Sequence, residues 1–376
     1  MKRIAETPRW KLHLFWYLSY AYFQNDHFFN HLVSKIKTLL SGLEDSLYKN
    51  RWKNIDINNP VFIIGPHRSG TTILQQALCL HSAIATPRSY SDILDMSPIL
   101  SQRIVRPLMP GLSDRIVDRI IVGSDTPQEA QGIMSRYFDR DSVSYDPINS
   151  EGLRNYMQKL LYLEDKTRFL WKAPYVTNHV PEIASEFPDS QFIYIHRDPV
   201  TCVDSKLKFI KIWREQAQPP LFLYRNLVGK HQNFDQTGMG YFMEQANRTV
   251  NLQSVQLDVV SMAGDHMQWI GNALRDLATL NSSKRCCFLT YETLIDEPKE
   301  SLSRIFEFLK LPDESDDIIV KMEEIGMPFR KPAPHITHIS EDELPAIREL
   351  CGSHLEKFSS VINWENFFVI GPKSLC

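Results

Sequence analysis

The sequence PVFIIGPHRSGTTILQQAL, residues 60–78, limits the possible folds more than any other segment. Its apolar run over 61–65 predicts a buried strand, and the residues from Thr71 onward predict a helix. Gly65 and Gly70 have the spacing of a phosphate-binding loop between a strand and a helix. Because backbone N–H groups and the positive end of the helix dipole converge in such a loop, the segment predicts an anion site.

Three further apolar runs lie far apart in the sequence, at 168–172, 191–197 and 286–292. They are nearly continuous rather than alternating, which is typical of strands buried on both faces of a parallel sheet. Segments with helical periodicity separate them. The pattern predicts an α/β fold: a doubly wound, mainly parallel sheet with a phosphate-binding loop and with helical additions at both ends.

Domain boundaries follow from changes in this pattern. Residues 1–58 show helical spacing and end at an Asn-Asn-Pro break, which predicts a helical N-terminal extension. Residues 59–315 hold the predicted strands and form the phosphate-loop domain, and residues 316–376 form a helical C-terminal extension packed on it. Two less regular stretches, 84–150 and 214–240, are expected to be lids or substrate loops, or else ordinary surface connections.

Charge and cysteine content narrow the classes of function. The chain has 42 Lys plus Arg and 45 Asp plus Glu, a net charge of −3. We therefore expect no nucleic-acid partner, and any anion site must be local. The six cysteines form no Cys-x-x-Cys pair, so we expect free thiols in a reducing compartment, which favours a cytoplasmic location. His335 and His338 lack a third ligand and are predicted to be loop histidines rather than metal ligands.

The N-terminal aromatic run from Leu12 to Phe23 bears on membrane contact. It is shorter than the roughly 20 apolar residues that cross a bilayer, and we expect no signal peptide because no small-residue cleavage site follows it. The run is predicted to form a helix that either docks on the core or rests on a membrane surface. The sequence predicts no oligomeric state.

Side chains of the loop refine the anion site. Arg68 adds a planar fixed charge, Thr71 and Thr72 add hydroxyl donors, and Gly70 lets the backbone approach the anion. Nucleoside triphosphatases carry lysine where this chain has Thr71. No predicted strand ends in an Asp suited to hold Mg²⁺, so metal-dependent phosphoryl transfer is disfavoured and no metal requirement is expected.

A second anion site is predicted where the run 191–197 ends. Arg197 lies at the strand tip, Asp198 is typical of a helix N-cap and Pro199 of the first helical residue. Ser205 follows less than two turns into that helix. Arg197 and Ser205 are expected to hold a phosphate between them, and the alternative is a surface arginine beside a solvent-facing serine.

These two sites resemble those of the sulfotransferases that use 3′-phosphoadenosine 5′-phosphosulfate (PAPS). R-S-G-T-T follows one strand and R-x(7)-S follows a later strand, as in that family. The blocks FLWKAPYVTNHVPEIASEFPDSQFIYIHRDP and FLTYETLIDEPKESLSRIFEFLKLP are also similar to family blocks, as are the shorter ATPRSY and TPQEAQ. The resemblance runs discontinuously from Val61 to Pro312.

The resemblance implies PAPS as the donor substrate, no metal, and a small-molecule or lipid-like acceptor that offers a hydroxyl or an amine. Arg197 and Ser205 would hold the 3′-phosphate, and Lys172 would stabilise the transferring group and the leaving oxygen. Arg68 would act on the same group. The donor-binding residues that it implies are Arg68, Ser69, Gly70, Thr71, Thr72, Arg197, Ser205 and Tyr291.

The proton acceptor is where the sequence departs from many relatives. They carry a histidine just after the lysine, whereas residues 173–176 are Ala-Pro-Tyr-Val. Other branches use a glutamate, and Glu129 matches the acidic position of a P-Q-E motif. Glu129 is therefore the predicted base, with His81, Asp92 and His179 as alternatives. Two other functions stay open: an unusual phosphate-loop kinase, and a catalytically silent protein that binds 3′-phosphonucleotides.

Overall fold

The computed structural model describes residues 27–108, 113–115, 120–129, 150–172, 177, 179–215, 258–280, 282, 284–331 and 336–373. In this part of the chain, helices α1 to α12 span His27–Trp52, Thr71–Leu78, Ser89–Ile93, Pro98–Ile104, Ser150–Glu164, Val180–Glu186, Pro199–Glu215, Val259–Thr279, Tyr291–Asp296, Pro298–Leu309, Ser315–Glu324 and Leu344–Ser359. Strands β1 to β8 span Val61–Ile64, Ile84–Ala85, Ser113–Arg115, Ile120–Val122, Arg168–Lys172, Gln191–His196, Cys286–Thr290 and Phe368–Ile370.

The α/β fold class is confirmed. Six of the strands form one all-parallel sheet flanked by helices, and β3 and β4 form a separate antiparallel pair. The chain divides into two compact units. The first unit contains the described residues of 27–58 and 82–171, and the second contains those of 59–81, 172–215 and 258–373.

Four strands of the second unit lie side by side in the order β1, β6, β7 and β8. Val61 pairs with Gln191 at the start of β1 and β6, and Phe192 pairs with Cys286 on β7. Every residue of β1, β6 and β7 is buried. Burial on both faces explains why these runs are continuously apolar. All three strands run in the same direction, so the residues that follow β1 and β6 meet at one edge.

The first unit contains β2 and β5 in parallel, with Ile84 opposite Arg168. Helix α1 is held in this unit by buried ion pairs, in which Lys37 lies 3.0 Å from Asp95 and Lys159 lies 3.0 Å from Glu44. Burial raises the pKa of Glu44, and the ammonium of Lys159 opposes that rise. Removing one partner of such a buried pair is strongly destabilising, because the other charge stays behind.

The predicted strands agree with β1, β5 and β6, but the fourth was predicted too long. We expected a strand over 286–292, whereas β7 ends at Thr290 and Tyr291 begins helix α9. The cause is local: the Thr290 hydroxyl accepts a hydrogen bond from the backbone N–H of Thr293 at 3.3 Å. Thr290 is thus an N-cap, and N-caps favour helix initiation directly after them.

Several predictions fall on residues outside the described part of the chain. These include the aromatic run 12–23, residues 173–176, His335 and most of the stretch 214–240. The stretch 84–150 is described in part, and there it contains α3, α4 and the β3–β4 pair. No helix among the described residues combines the length and the apolar character that a membrane crossing requires. The predicted domain boundaries remain predictions.

Candidate donor-binding site

The loop between β1 and α2 has the backbone that its glycines predict. Gly70 has a φ of 99°, in the left-handed region that glycine favours. A Cβ atom at Gly70 would lie 2.3 Å from Cδ2 of Tyr291, and one at Gly65 would lie 2.7 Å from the carbonyl oxygen of Ile195. The loop is therefore folded tightly against β6 and against the start of α9.

Arg68 has the left-handed backbone of a glycine although it carries a long side chain. Its φ is 72°, a conformation that costs a non-glycine residue about 1–2 kcal/mol. The side chain and the carbonyl group both have partners: Nε donates to Oγ of Ser205 at 3.0 Å, and the carbonyl oxygen accepts from Nη1 of Arg197 at 2.9 Å. Arg68 of the first predicted anion site is thus in direct contact with Ser205 and Arg197 of the second.

Arg197 is held in place by an aromatic ring. Its guanidinium carbon lies 4.3 Å from the centre of the Tyr291 ring, a cation–π contact. Its Nε atom is buried without a hydrogen-bond partner in the protein. A buried donor that lacks an acceptor is uncommon in folded proteins. The arrangement therefore suits an anion that supplies the missing acceptor.

The helix that bears Ser205 begins as predicted. Oδ2 of Asp198 accepts from the backbone N–H of Thr201 at 2.8 Å, and α7 starts at Pro199. Oδ1 of Asp204 accepts from three consecutive backbone N–H groups, at 3.1, 2.6 and 3.0 Å, of Thr337, His338 and Ile339. Asp204 was not singled out in the sequence, since a carboxylate in a helix carries no sign of a distant loop partner.

Lys172 also reaches the phosphate loop. Its Nζ atom donates to Oγ1 of Thr72 at 3.2 Å, and the residue is only 4% exposed. The hydroxyl of Ser69 donates instead to the carbonyl oxygen of Pro66 at 2.7 Å, so this side chain shapes the loop itself. Three cationic side chains, Arg68, Lys172 and Arg197, therefore converge on the loop within the second unit.

Two residues next to Ser205 and Arg68 also lie at the site, although the sequence did not predict them. Lys206 follows Ser205 and is buried, and its Nζ atom lies 2.9 Å from Nδ1 of His266 on α8. Burial lowers the pKa of Lys206 to about 8. His67 precedes Arg68, and burial together with the charges of Lys206, Lys172 and Arg68 holds its pKa well below the usual range. Their adjacency to Arg68 and Ser205 was the available signal.

Comparison with known proteins identifies the family. Residues 60–249, just over half of the chain, match the sulfotransferase family. The chain belongs to the sulfotransferase family. No curated protein sequence matches it.

Solved structures of sulfotransferases share the fold. Sulfotransferase STF9 from Mycobacterium avium aligns with a TM-score of 0.53 and 16% identity, over 88% of this chain and 86% of its own. Sulfotransferase STF1 from Mycobacterium tuberculosis H37Rv aligns with a TM-score of 0.50 and 14% identity, over 84% and 82%. At these identities the likeness shows the fold alone. A structure of retinol dehydratase in complex with retinol and PAP aligns with a TM-score of only 0.31 and 11% identity, over 86% of each chain, which is too low a similarity to transfer its ligands.

The predicted base of this sulfotransferase lies in the first unit. Glu129 is half-buried, and its carbonyl oxygen accepts from the indole Nε1 of Trp171 at 3.0 Å. Trp171 directly precedes Lys172 in β5. This contact fixes the backbone of Glu129, and the role of its carboxylate stays a prediction.

The alternative bases have other contacts. Nε2 of His81 lies 2.9 Å from the carbonyl oxygen of Pro312, and its ring packs on Phe306 at 4.7 Å. Nδ1 of His179 lies 3.9 Å from the carboxylate of Glu182. Burial raises the pKa of Glu182, but its contacts with this imidazole and with the backbone lower that pKa by more, so the net shift is downward. The side chain of Asp92 lies outside the described residues. Among the described side chains, no group of three or more His, Cys, Asp or Glu could hold a metal ion.

Proposed function

We propose that this member of the sulfotransferase family transfers a sulfuryl group from PAPS to a hydroxyl or an amine of an organic acceptor. The observation that carries the proposal is the contact of Arg68 with both Ser205 and Arg197. It joins a phosphate loop to a second cationic site. A donor with phosphates at both the 5′ and the 3′ position needs two such sites, whereas ATP has no 3′-phosphate.

The residues of the second unit fit this donor. The buried Nε atom of Arg197 has no acceptor in the protein, and a 3′-phosphate oxygen would supply one. The ring of Tyr291 closes over Gly70 and over the Arg197 guanidinium, so it would restrict the donor to one side of the loop. The other proposed donor-binding residues are Arg68, Ser69, Thr71, Thr72 and Ser205.

In the proposed reaction the acceptor oxygen or nitrogen forms a bond to sulfur as the bond from sulfur to the bridging oxygen breaks. The electron pair of that bond passes to the leaving 5′-phosphate, and the acceptor's proton passes to a base. Lys172 and Arg68 would stabilise the charge that develops on the bridging oxygen. Glu129 remains the proposed base, on the strength of its motif.

A lysine is absent at Thr71, and Arg68 supplies the loop's charge. This supports an enzyme whose side-chain cations replace Mg²⁺ at the leaving phosphate. The acceptor is proposed to be a small molecule or a lipid-like compound. Cytoplasmic location and a peripheral membrane contact through residues 12–23 also stay proposals.

Ligand binding followed by turnover tests the function. PAP is 3′-phosphoadenosine 5′-phosphate, the nucleotide that remains when PAPS loses its sulfuryl group. Calorimetry is done with PAP, PAPS and ATP, each with Mg²⁺ and with excess EDTA. PAP and PAPS, which carry the 3′-phosphate, should bind in both conditions, and ATP should bind weakly. Tight binding of ATP that depends on Mg²⁺ would favour a kinase instead.

Turnover then separates an enzyme from a silent binding protein. A mass-spectrometric screen of acceptors with labelled PAPS should yield sulfated products, at the same rate with and without EDTA. Binding of PAP without any product across hydroxyl and amine acceptors would favour the catalytically silent alternative.

A further inference from the structure

A group of nitrogen-bearing side chains lies beside the phosphate loop and is not used by the mechanism above. We call it the nitrogen cluster: His67, Lys206, His266 and Trp269. His266 and Trp269 are three residues apart on α8 and therefore share one face of that helix. The ring of His67 packs on that of Trp269, with centroids 4.9 Å apart. The Lys206–His266 contact brings α7 to the same place.

The cluster has more hydrogen-bond donors than acceptors. The Lys206 ammonium donates to Nδ1 of His266, so the proton of this neutral imidazole lies on Nε2. Nε2 of His266 and Nε1 of Trp269 are both buried without a partner, in side chains that are 0% exposed. Nε2 of His67 is also buried without a partner. Buried groups of this kind are rarely left unsatisfied, which points to an occupant that accepts hydrogen bonds.

Charge in and around the cluster is mainly positive. Lys206, Lys172 and Arg68 all lie close enough to His67 to lower its pKa. Burial and, after it, the charge of Lys206 lower the pKa of His266 as well. At Lys206, the Cys202 thiol and Asp265 act in the opposite direction and raise the pKa. An occupant with negative charge is therefore favoured over a neutral one.

The cluster reaches the phosphate loop at His67, which is half-buried and precedes the half-buried Arg68, whereas the other three members of the cluster are buried. Loop amides and Arg68 are already assigned to the donor's phosphate. A sulfuryl group carries three non-bridging oxygens, and the cluster offers Lys206 together with the unpartnered nitrogens of His266 and Trp269. We propose that the nitrogen cluster is an oxyanion site that receives the sulfuryl group of the donor. This rests on the proposed function and assigns residues to the group that is transferred.

The test compares a donor with and without the sulfuryl group. Trp269→Phe removes one N–H and keeps an aromatic ring, and binding is measured by calorimetry with PAPS and with PAP in the absence of acceptor. We expect PAPS to bind about tenfold or more weakly, the scale of one hydrogen bond to a charged group, with PAP changed less than about twofold. Trp52→Phe is the matched control, since Trp52 also has a buried, unpartnered indole nitrogen but lies in the first unit.

Lys206→Met provides a second variant if Trp269→Phe does not fold. It removes the charge and keeps a long apolar side chain, and the same selective loss of PAPS affinity is expected. Equal losses for PAPS and PAP, or no loss for either, would overturn the proposal, the latter outcome assigning the cluster to a buried water. Failure of the proposed function gives different results: either the unmodified protein binds neither ligand, or it binds both and forms no sulfated product.

Discussion

Nε of Arg68 donates a hydrogen bond to Oγ of Ser205 at 3.0 Å, across 137 residues of sequence. The bond joins the phosphate loop to the helix that follows β6. The carbonyl oxygen of Arg68 meanwhile accepts from Arg197. Arg68, proposed to act at one end of the donor, is therefore in direct contact with the two residues proposed to act at its other end.

Arg197→Ala tests the assignment of the 3′-phosphate. The variant removes a charged donor whose Nε atom has no acceptor in the protein. We expect affinity for PAP to fall by about 1.5–3 kcal/mol, the scale of a hydrogen bond to a charged group. Affinity for adenosine 5′-phosphate, which lacks the 3′-phosphate, should barely change. Calorimetry with both nucleotides measures the difference, and equal losses would show that Arg197 acts on the loop alone.

Gly70→Ala tests how closely the loop is packed. The new Cβ would lie 2.3 Å from the ring of Tyr291, at a φ of 99° that alanine disfavours. We expect lower stability in denaturant unfolding and weaker PAP binding. Gly264→Ala on α8 is the control, because nothing lies within 4 Å of its Cβ position. That helical site should gain about 0.5–1 kcal/mol, and a Gly70→Ala variant as stable as the unmodified protein would contradict the packing.

The pH dependence of stability, compared between the unmodified protein and Lys206→Met, tests whether burial lowers the pKa of Lys206. Burial lowers the pKa of Lys206 from 10.5 to about 8. Between these two values the unfolded chain binds more protons than the folded one, so this group makes the folded state more stable as pH rises. As pH rises from 8 to 10.5, the free energy of unfolding of the unmodified protein should therefore increase relative to that of Lys206→Met. Parallel pH profiles of the two proteins would contradict the lowered pKa.

The sequence predicted the parts of the site that depend on local patterns. The strand before Gly65, the turn at Gly70 and the Asp198 cap follow from neighbouring residues, and all three appear in the structure. The Thr290 cap was missed because an apolar run and a following Tyr-Glu pair favour a longer strand. Capping, a single hydrogen bond, overrides that preference.

Contacts between distant segments could not be predicted from the sequence. Nothing in the residues around His67 indicates that Trp269 packs on it, 202 positions later. Lys206 resembles any surface lysine of a helix until α8 covers it with His266. Such contacts depend on how helices pack against the sheet, which periodicity alone does not specify.

Glu129→Gln tests the proposed base. A positioned base contributes about 10²–10⁴-fold to the rate, and glutamine keeps the shape of the side chain while it removes the basicity. Single-turnover rates with PAPS and a suitable acceptor should fall by about that factor. Calorimetry should show PAP affinity nearly unchanged, because the backbone contact of Glu129 with Trp171 does not involve the carboxylate.

Lys172→Ala is the comparison for that variant. Lys172 contacts Thr72 of the phosphate loop, so its loss should lower the rate and weaken the donor as well, whereas Glu129→Gln should affect the rate alone. A rate for Glu129→Gln within about threefold of that of the unmodified enzyme would be a much smaller loss than removal of a general base causes. It would show that Glu129 is not the base. The base would then be sought among His81, Asp92 and His179, by the same pair of measurements on each.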